Sequence, residues 1–321
     1  MFTLRVELKK PMVLADPKLL DFSSKNVRKL YGIIPERWFS AKKISEKEYK
    51  KSEDNFKKLA DNDDDQPALK ACLEGAREYI QIMFRTEEPS SHVQKLKAFW
   101  DMPNGTLILN FWFEWLCGGS DLGNIAKTID MKMDDDMNII EQVLIEQNSE
   151  EYEKEVKEDK ASVMRDYGNM TFFYILLLRK LCKSFKNQPE KFLFVEGEDK
   201  LKDASQQPFL HILKVAQHGL DDYDNSLVIS VRVGSTTIFE NVSLSVGLAA
   251  ILQVTFSFNL LYDPNVDDMY NYLQRILARF GPLDGARNKK NHVKKSYVDF
   301  TCTLGKLVLK QNKGNVLKVY V

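Results

Sequence analysis

The sequence predicts a predominantly helical α+β fold, in which a helical layer packs with a smaller C-terminal α+β unit containing β-hairpins. Three observations predict it. Within 170–185, Met170, Phe173, Tyr174, Leu177, Leu178, Leu181, Cys182 and Phe185 recur at helical spacing, with Arg179, Lys180 and Lys183 on the other side. Over 228–233, Ile229, Val231 and Val233 alternate with Val228, Ser230 and Arg232, and a Gly234-Ser235 turn leads to Ile238-Phe239, the pattern of a hairpin. The charge-free run 244–262 is long enough to cross a bilayer, yet Ser245, Gln253, Thr255, Ser257 and Asn259 would be costly in lipid, so it reads as a helix buried in a water-soluble body.

The remaining elements follow in order. The segment KKISEKEYKKSEDNFKKLADNDDD, within a charged region 1–66, reads as a solvated helix running into an acidic turn. From Pro67, the residues Leu69, Cys72, Ala76, Tyr79, Ile80 and Met83 share a helical face, which makes Cys72 a core thiol. Val93, Leu96 and Trp100 continue into a short helix stopped at Pro103-Asn104-Gly105. The run 107–116 (LILNFWFEWL) is apolar nearly all round and closes at Gly118-Gly119, as a buried helix does. Asp121, with Ser120, caps a helix carrying Leu122, Ile125, Ala126 and Ile129. The aspartates 134–136 read as caps of a further helix beginning at Met137, which turns into the exposed run SEEYEKEVKEDK.

Near the end, Asp263 reads as a helix cap, with Pro264 at the first position, Asp267 and Asp268 in the first turn and Arg275 and Arg279 in the last. KLVLK and NVLKVYV, separated by QNKG, read as a terminal hairpin. The expected organisation is a charged segment 1–66, a helical region 67–187 and an α+β region 188–321 with a basic tail; a single domain is the alternative.

With 44% hydrophobic and 11% aromatic residues, the chain can bury a large core, which excludes disorder for most of it. Lys+Arg and Asp+Glu both total 46, so no global charge bias selects nucleic acid or an anionic membrane. Cys72, Cys117, Cys182 and Cys302 lie too far apart for a disulfide framework or paired zinc ligands. MFTLRVELKKPMVL lacks the apolar core of a secretory signal, so the expected setting is intracellular, cytoplasm or nucleus, and the sequons at Asn104, Asn169 and Asn241 carry no weight.

The residues offer little chemistry. His92, His211, His218 and His292 are the only imidazoles, and none sits in a nucleophile context. His211 and His218 would share a face if that stretch were helical; one packed and one surface imidazole is the plainer account. Residues 221–225 (DDYDN) lack the glycine and closing glutamate of a calcium loop, and the glycine-rich 118–123 lacks the lysine of a phosphate cradle. Glu196/Glu198 and Asp267/Asp268 are explained as a polar loop and a helix start. Trp100, Trp112 and Trp115 read as core more readily than as a partner-binding patch. No catalytic, cofactor-binding or metal-ligating residue is therefore expected, and no cofactor.

One asymmetry stands out. Residues 130–166 hold 13 acidic and 5 basic side chains, and residues 287–321 hold 9 basic and one acidic. In the second segment Arg287, Lys289, Lys290, Lys294 and Lys295 precede an expected strand bearing Tyr297 and Phe300, a mixture of cations and aromatics that nucleic-acid surfaces use. A charged loop leading into a lysine-guarded edge strand is the plain alternative.

Phe256, Phe258, Asn259, Leu260, Tyr262 and Pro264, followed by Tyr270, Leu273, Gln274 and Arg275, give 208–280 a texture that resembles the closing region of a group of uncharacterised animal proteins, for which a mobile-element origin is one reading. The resemblance implies an animal intracellular setting and no activity. The expected function is that of a non-enzymatic protein-interaction module with a protein partner; the alternative is a nucleic-acid-associated protein using 287–321, and an enzyme with an unfamiliar site comes third.

Overall fold

The computed structural model describes residues 46–61, 66–80, 104–116, 121–148, 150–200, 207–216, 225–258, 260, 262–279 and 295–311. These form a predominantly helical α+β chain with one four-stranded mixed sheet in the C-terminal half. The chain groups into two compact units. The first comprises Met1–Ile125, Leu252–Leu261 and Asp284–Arg287; the second comprises Ala126–Ile251, Tyr262–Leu283 and Asn288–Val321.

In the first unit, α1 (Glu46–Asp61) lies against α2 (Gln66–Gly75). The α1 sequence is polar, but it is not solvated all round as the charge pattern predicts. Ser52 and Phe56 are buried, the Ser52 hydroxyl accepts the Tyr79 N–H at 3.1 Å, and the Phe56 ring lies 4.9 Å from that of Tyr79. Two residues in a charged run are enough to fix a docking face. Cys72 is half-buried and not a core thiol; Leu73, Ala76 and Ile80 fill that core. Helix α3 (Gly105–Leu116) is the buried element the apolar run predicts. Its Trp112 indole donates to the Ser257 backbone carbonyl at 3.1 Å, and Asn110 accepts from the Gln253 amide at 2.5 Å. Gln253, one of the residues that argued against a lipid setting, thus finds a partner in protein, while the buried Ser257 hydroxyl has none. The segments 81–103 and 117–120 lie outside the described residues, and with them the expected helix at Val93–Trp100 and the Gly118-Gly119 stop.

Helix α4 (Leu122–Glu146) starts as predicted, with Asp121 Oδ1 accepting the Asn124 N–H at 2.6 Å. It then runs straight through the three aspartates expected to cap a new helix. The reason is phase: Ala126, Ile129, Met133, Met137, Ile140 and Leu144 keep one buried stripe across that point, so tertiary burial overrides the cap residues. Helices α5 (Glu150–Tyr167) and α6 (Thr171–Ser184) follow. Of the predicted α6 stripe Phe173, Leu177, Leu178, Leu181, Cys182 and Phe185 are buried, Met170 and Tyr174 are half-buried, and Phe172 and Ile175 are buried as well.

The sheet has the order β1 (Leu193–Val195), β2 (Pro208–Ala216), β3 (Asn225–Val233) and β4 (Thr236–Phe239), with β1 parallel to β2 and the other pairs antiparallel. The predicted hairpin is β3–β4, closed by Gly234 at φ +60°, where a side chain would be strained. Helix α7 (Leu244–Ser257) packs onto the sheet at Gly247; a Cβ there would sit 2.8 Å from Leu210 Cδ2, so a larger residue would require the Leu210 side chain to shift. Among the described residues no helix is long and apolar enough to cross a membrane.

Two corrections concern the C-terminal part. Asp263 makes a local turn with the N–H and side-chain amide of Asn265, and α8 begins four residues later, over Asp267–Tyr272, continuing as a π turn over Leu273–Leu277. The cap comes from a distant residue, Asn187, whose Oδ1 accepts the Met269 N–H at 3.1 Å. The terminal hairpin is also overturned: KLVLK belongs to helix α9 (Lys295–Gln311). Five alternating residues fit a strand, but Tyr297, Phe300, Leu304 and Leu307 form a buried i, i+3, i+7, i+10 stripe that decides for a helix. NVLKVYV lies outside the described residues.

Candidate functional site

Two kinds of polar surface in the second unit bear on function. The first is open to solvent. On α4 the exposed residues include Lys127, Asp130, Met131, Lys132, Asp134, Asp135 and Asn138, and on α5 only Val156 and Val163 are buried. The two helices are tied by Lys160–Glu141 at 3.1 Å, and α5 to α6 by Lys180, which reaches Glu155 and, at 3.1 Å, Asp159. Met131 is 70% exposed, with Asp134 and Asp135 one turn on, and Met164 is exposed on α5. Asp134 also accepts the Tyr174 hydroxyl at 2.6 Å; burial, and then this hydrogen bond, hold that phenol above its ordinary pKa. The surface thus presents mixed charges, with carboxylates in excess, around isolated thioethers.

The second is enclosed. Along α8 and its π turn Asp267, Asp268, Asn271 and Gln274 are all buried; the two aspartates stand in the first turn of the helix, as expected, and are enclosed there. Tyr262 donates to Gln274 Oε1 at 2.6 Å and stacks on Tyr270, whose own hydroxyl donates to the Pro208 carbonyl. Asp136, the one buried member of the α4 aspartates, accepts from Arg279 at 3.0 Å. Burial pushes the Asp136 carboxyl up, and the Arg279 guanidinium pulls in the opposite direction. Tyr272 lies in the same field, its hydroxyl raised by burial and then by Asp136, while its ring packs with Phe185 and edge-on with Phe300. The Asn271 amide, the Tyr272 hydroxyl and the second Asp136 oxygen have no hydrogen-bond partner. Sequence reasoning passed over this group, although Asp136 shares a face with Ile129, Met133 and Ile140 and was readable as an inward carboxylate.

His211 lies on β2, not on a helix, so the supposed two-turn relation to His218 fails; His218, His92 and His292 lie outside the described residues. Its Nε2 is 2.9 Å from Glu196 Oε2 and its ring stacks on Phe194. Burial, then the charge of Arg232, holds the imidazole below its ordinary pKa against the opposing pull of Glu196. Glu198 pairs with Lys214, so the carboxylates of this loop serve as ties between loop and strand. Among the described residues no group of His, Cys, Asp and Glu is arranged to hold a metal.

Of the expected nucleic-acid contacts, Lys295 is exposed at the start of α9, and Arg287, Lys289, Lys290 and Lys294 lie outside the described residues. The accompanying aromatics are corrected: Tyr297 and Phe300 stand on a helix and pack on Phe185 at 5.3 Å each, so neither presents a stacking face. Trp112 is core, stacked on Trp115. No protein-family model, no curated protein and no solved structure matches the chain.

Proposed function

We propose that the protein is a non-enzymatic interaction module that engages a protein partner through the outward face of α4 and α5. The observation that carries this reading is Met131, a large apolar side chain 70% exposed on a charged face where carboxylates outnumber lysines and arginines, 13 to 5 over residues 130–166. Exposed apolar groups rimmed by charge suit contact with a surface of opposite sign, where the charges steer the encounter and the apolar contact holds it. The partner fitting this face is a basic protein segment with an apolar residue of its own. The intracellular setting belongs to the same proposal.

The test is affinity purification from cells with a nuclease-treated control, comparing the unaltered chain with Met131→Ser/Asp135→Lys. Both positions are exposed, so the fold should survive. Capture of a basic protein that resists nuclease and is lost in the variant supports the reading; identical capture by both chains sinks it. A second reading rests on the net +8 of 287–321 and the exposed Lys295. Capture abolished by nuclease, falling steeply with salt and lost on neutralising Arg287, Lys289, Lys290, Lys294 and Lys295, would favour nucleic acid instead.

A further inference from the structure

Strand β1 stands at the end of the sheet. Its neighbours on the β2 side are the even-numbered residues: Leu210 N–H donates to the Phe192 carbonyl at 3.0 Å, and Glu196 N–H donates to the Ile212 carbonyl at 2.9 Å. Leu193 and Val195 therefore turn their backbone groups outward, where a further strand would bind. Two side chains and the returning turn occupy that place, the Val195 carbonyl accepting the Glu198 N–H at 3.2 Å and the Asp199 N–H at 3.0 Å. Arg179 donates to the Leu193 carbonyl at 2.5 Å, and the Val195 N–H donates to Asp199 Oδ2 at 2.7 Å. Arg179 and Asp199 are themselves joined by two hydrogen bonds, at 2.6 and 2.8 Å, with only 12% and 11% of their side chains exposed. Gly197, at φ +85°, permits the tight reversal that brings Asp199 back beside β1, and the pairs Glu196–His211 and Glu198–Lys214 hold the same turn to β2.

A donor meets the outward carbonyl and an acceptor meets the outward N–H, which is what the next strand of a sheet would supply. We propose that Arg179 and Asp199 form an edge guard that stands in for a fifth strand and prevents β1 from pairing with the β1 of a second copy. The exposed edge would be self-complementary. In an antiparallel pair centred on Phe194, the Leu193 carbonyl of one copy meets the Val195 N–H of the other, and the two-fold axis repeats the bond. Unpaired edges of this kind are the usual route to unwanted strand addition, and natural sheets close them with charged groups or covering loops. Here one ion pair supplies the charge and meets the Leu193 carbonyl and the Val195 N–H, while the turn that carries Asp199 covers the Val195 carbonyl.

The test uses the full chain with Arg179→Met/Asp199→Leu, which removes both guarding bonds while keeping side-chain volume. Sedimentation over about a hundredfold concentration range should show the mass of the variant doubling relative to the unaltered chain. Adding Val195→Pro, which deletes the outward N–H, should restore the original mass. A folded variant with unchanged mass overturns the proposal, as does a dimer that survives Val195→Pro. Should the double variant lose its helical circular dichroism, Arg179→Lys carries the test with a fluorescent peptide of residues 190–198. That chain should bind the peptide about tenfold more tightly than the unaltered one, and equal binding overturns the guard.

Discussion

Helices α5 and α8 are both rich in polar residues, and they meet opposite fates. Helix α5 buries two valines seven apart and leaves its carboxylates and lysines in water, where they interact weakly and constrain little. Helix α8 and its π turn are enclosed on nearly every side, so Asp267, Asp268, Asn271 and Gln274 depend on protein partners. The contrast teaches that composition does not set exposure; the number of elements packed around a helix does. Apart from Glu155, Asp159 and Lys160, which tie it to α6 and α4, polar residues on α5 can be exchanged at little cost, whereas on α8 each is either satisfied or a standing cost.

The contrast breaks first at the aromatic wall beside α8. Phe300 is fully buried and meets Phe185 and Tyr272 edge-on, so Phe300→Ala should cost about 3–5 kcal/mol, read as a lowered urea midpoint. A loss below about 1 kcal/mol would mean that this region is not a packed core. A sharper test lies on α8 itself. The Asn271 amide is buried without a partner, so Asn271→Leu exchanges an unsatisfied polar group for an apolar one of similar size and should stabilise by about 1 kcal/mol. A destabilising result would show that the amide is held by a bound water or ligand.

Much of this fold is legible in the sequence, and its lapses share one cause. The α6 stripe, the α3 apolar run, the β3–β4 hairpin and the Asp121 cap all follow from local spacing, because each segment meets its neighbours through one face or is buried outright. Reading failed where a local signal competed with tertiary burial: at Asp134–Asp136, inside an unbroken stripe; at Asp263, whose expected cap is supplied from Asn187; and at KLVLK, whose alternation is a fragment of a helical face. The edge guard was still less visible, since Arg179 and Asp199 lie twenty residues apart and are brought together only by the fold, beside β1. The Met131 surface shows only as an apolar residue among aspartates, which spacing alone does not place outside.

Two aspartates extend the comparison to pH. Burial raises the folded-state pKa of Asp136 above 3.8, whereas hydrogen bonds from Arg165 and Ser162 lower that of Asp166, which is on α5. A raised carboxyl favours the folded state once protonated, so its contribution is full below 3.8 and is lost as pH rises through the folded value. A lowered one does the reverse, stabilising above 3.8 and failing as pH falls through its own folded value. Asp136→Asn should therefore steepen the acid loss of stability and Asp166→Asn should flatten it, measured as urea midpoints from about pH 6 down to about pH 2. Slopes changing in the same direction would show that burial does not separate the two groups.

The smallest expected effect is the most direct check on α5. Lys157 reaches Glu153 one turn back at 2.6 Å, with the lysine side chain 68% exposed, so the pair has ideal spacing and almost no shielding from water. Its attraction is set against the entropy of fixing two long side chains and against salt, and pairs of this type contribute about 0.3–0.5 kcal/mol. Lys157→Ala removes the pair but installs a better helix former, so the net change should lie within about 0.5 kcal/mol of zero and should shrink further in about 0.5 M salt. A loss several times larger, persisting in salt, would mean that α5 is covered in solution by a second surface, with its lysine as enclosed as the polar groups of α8.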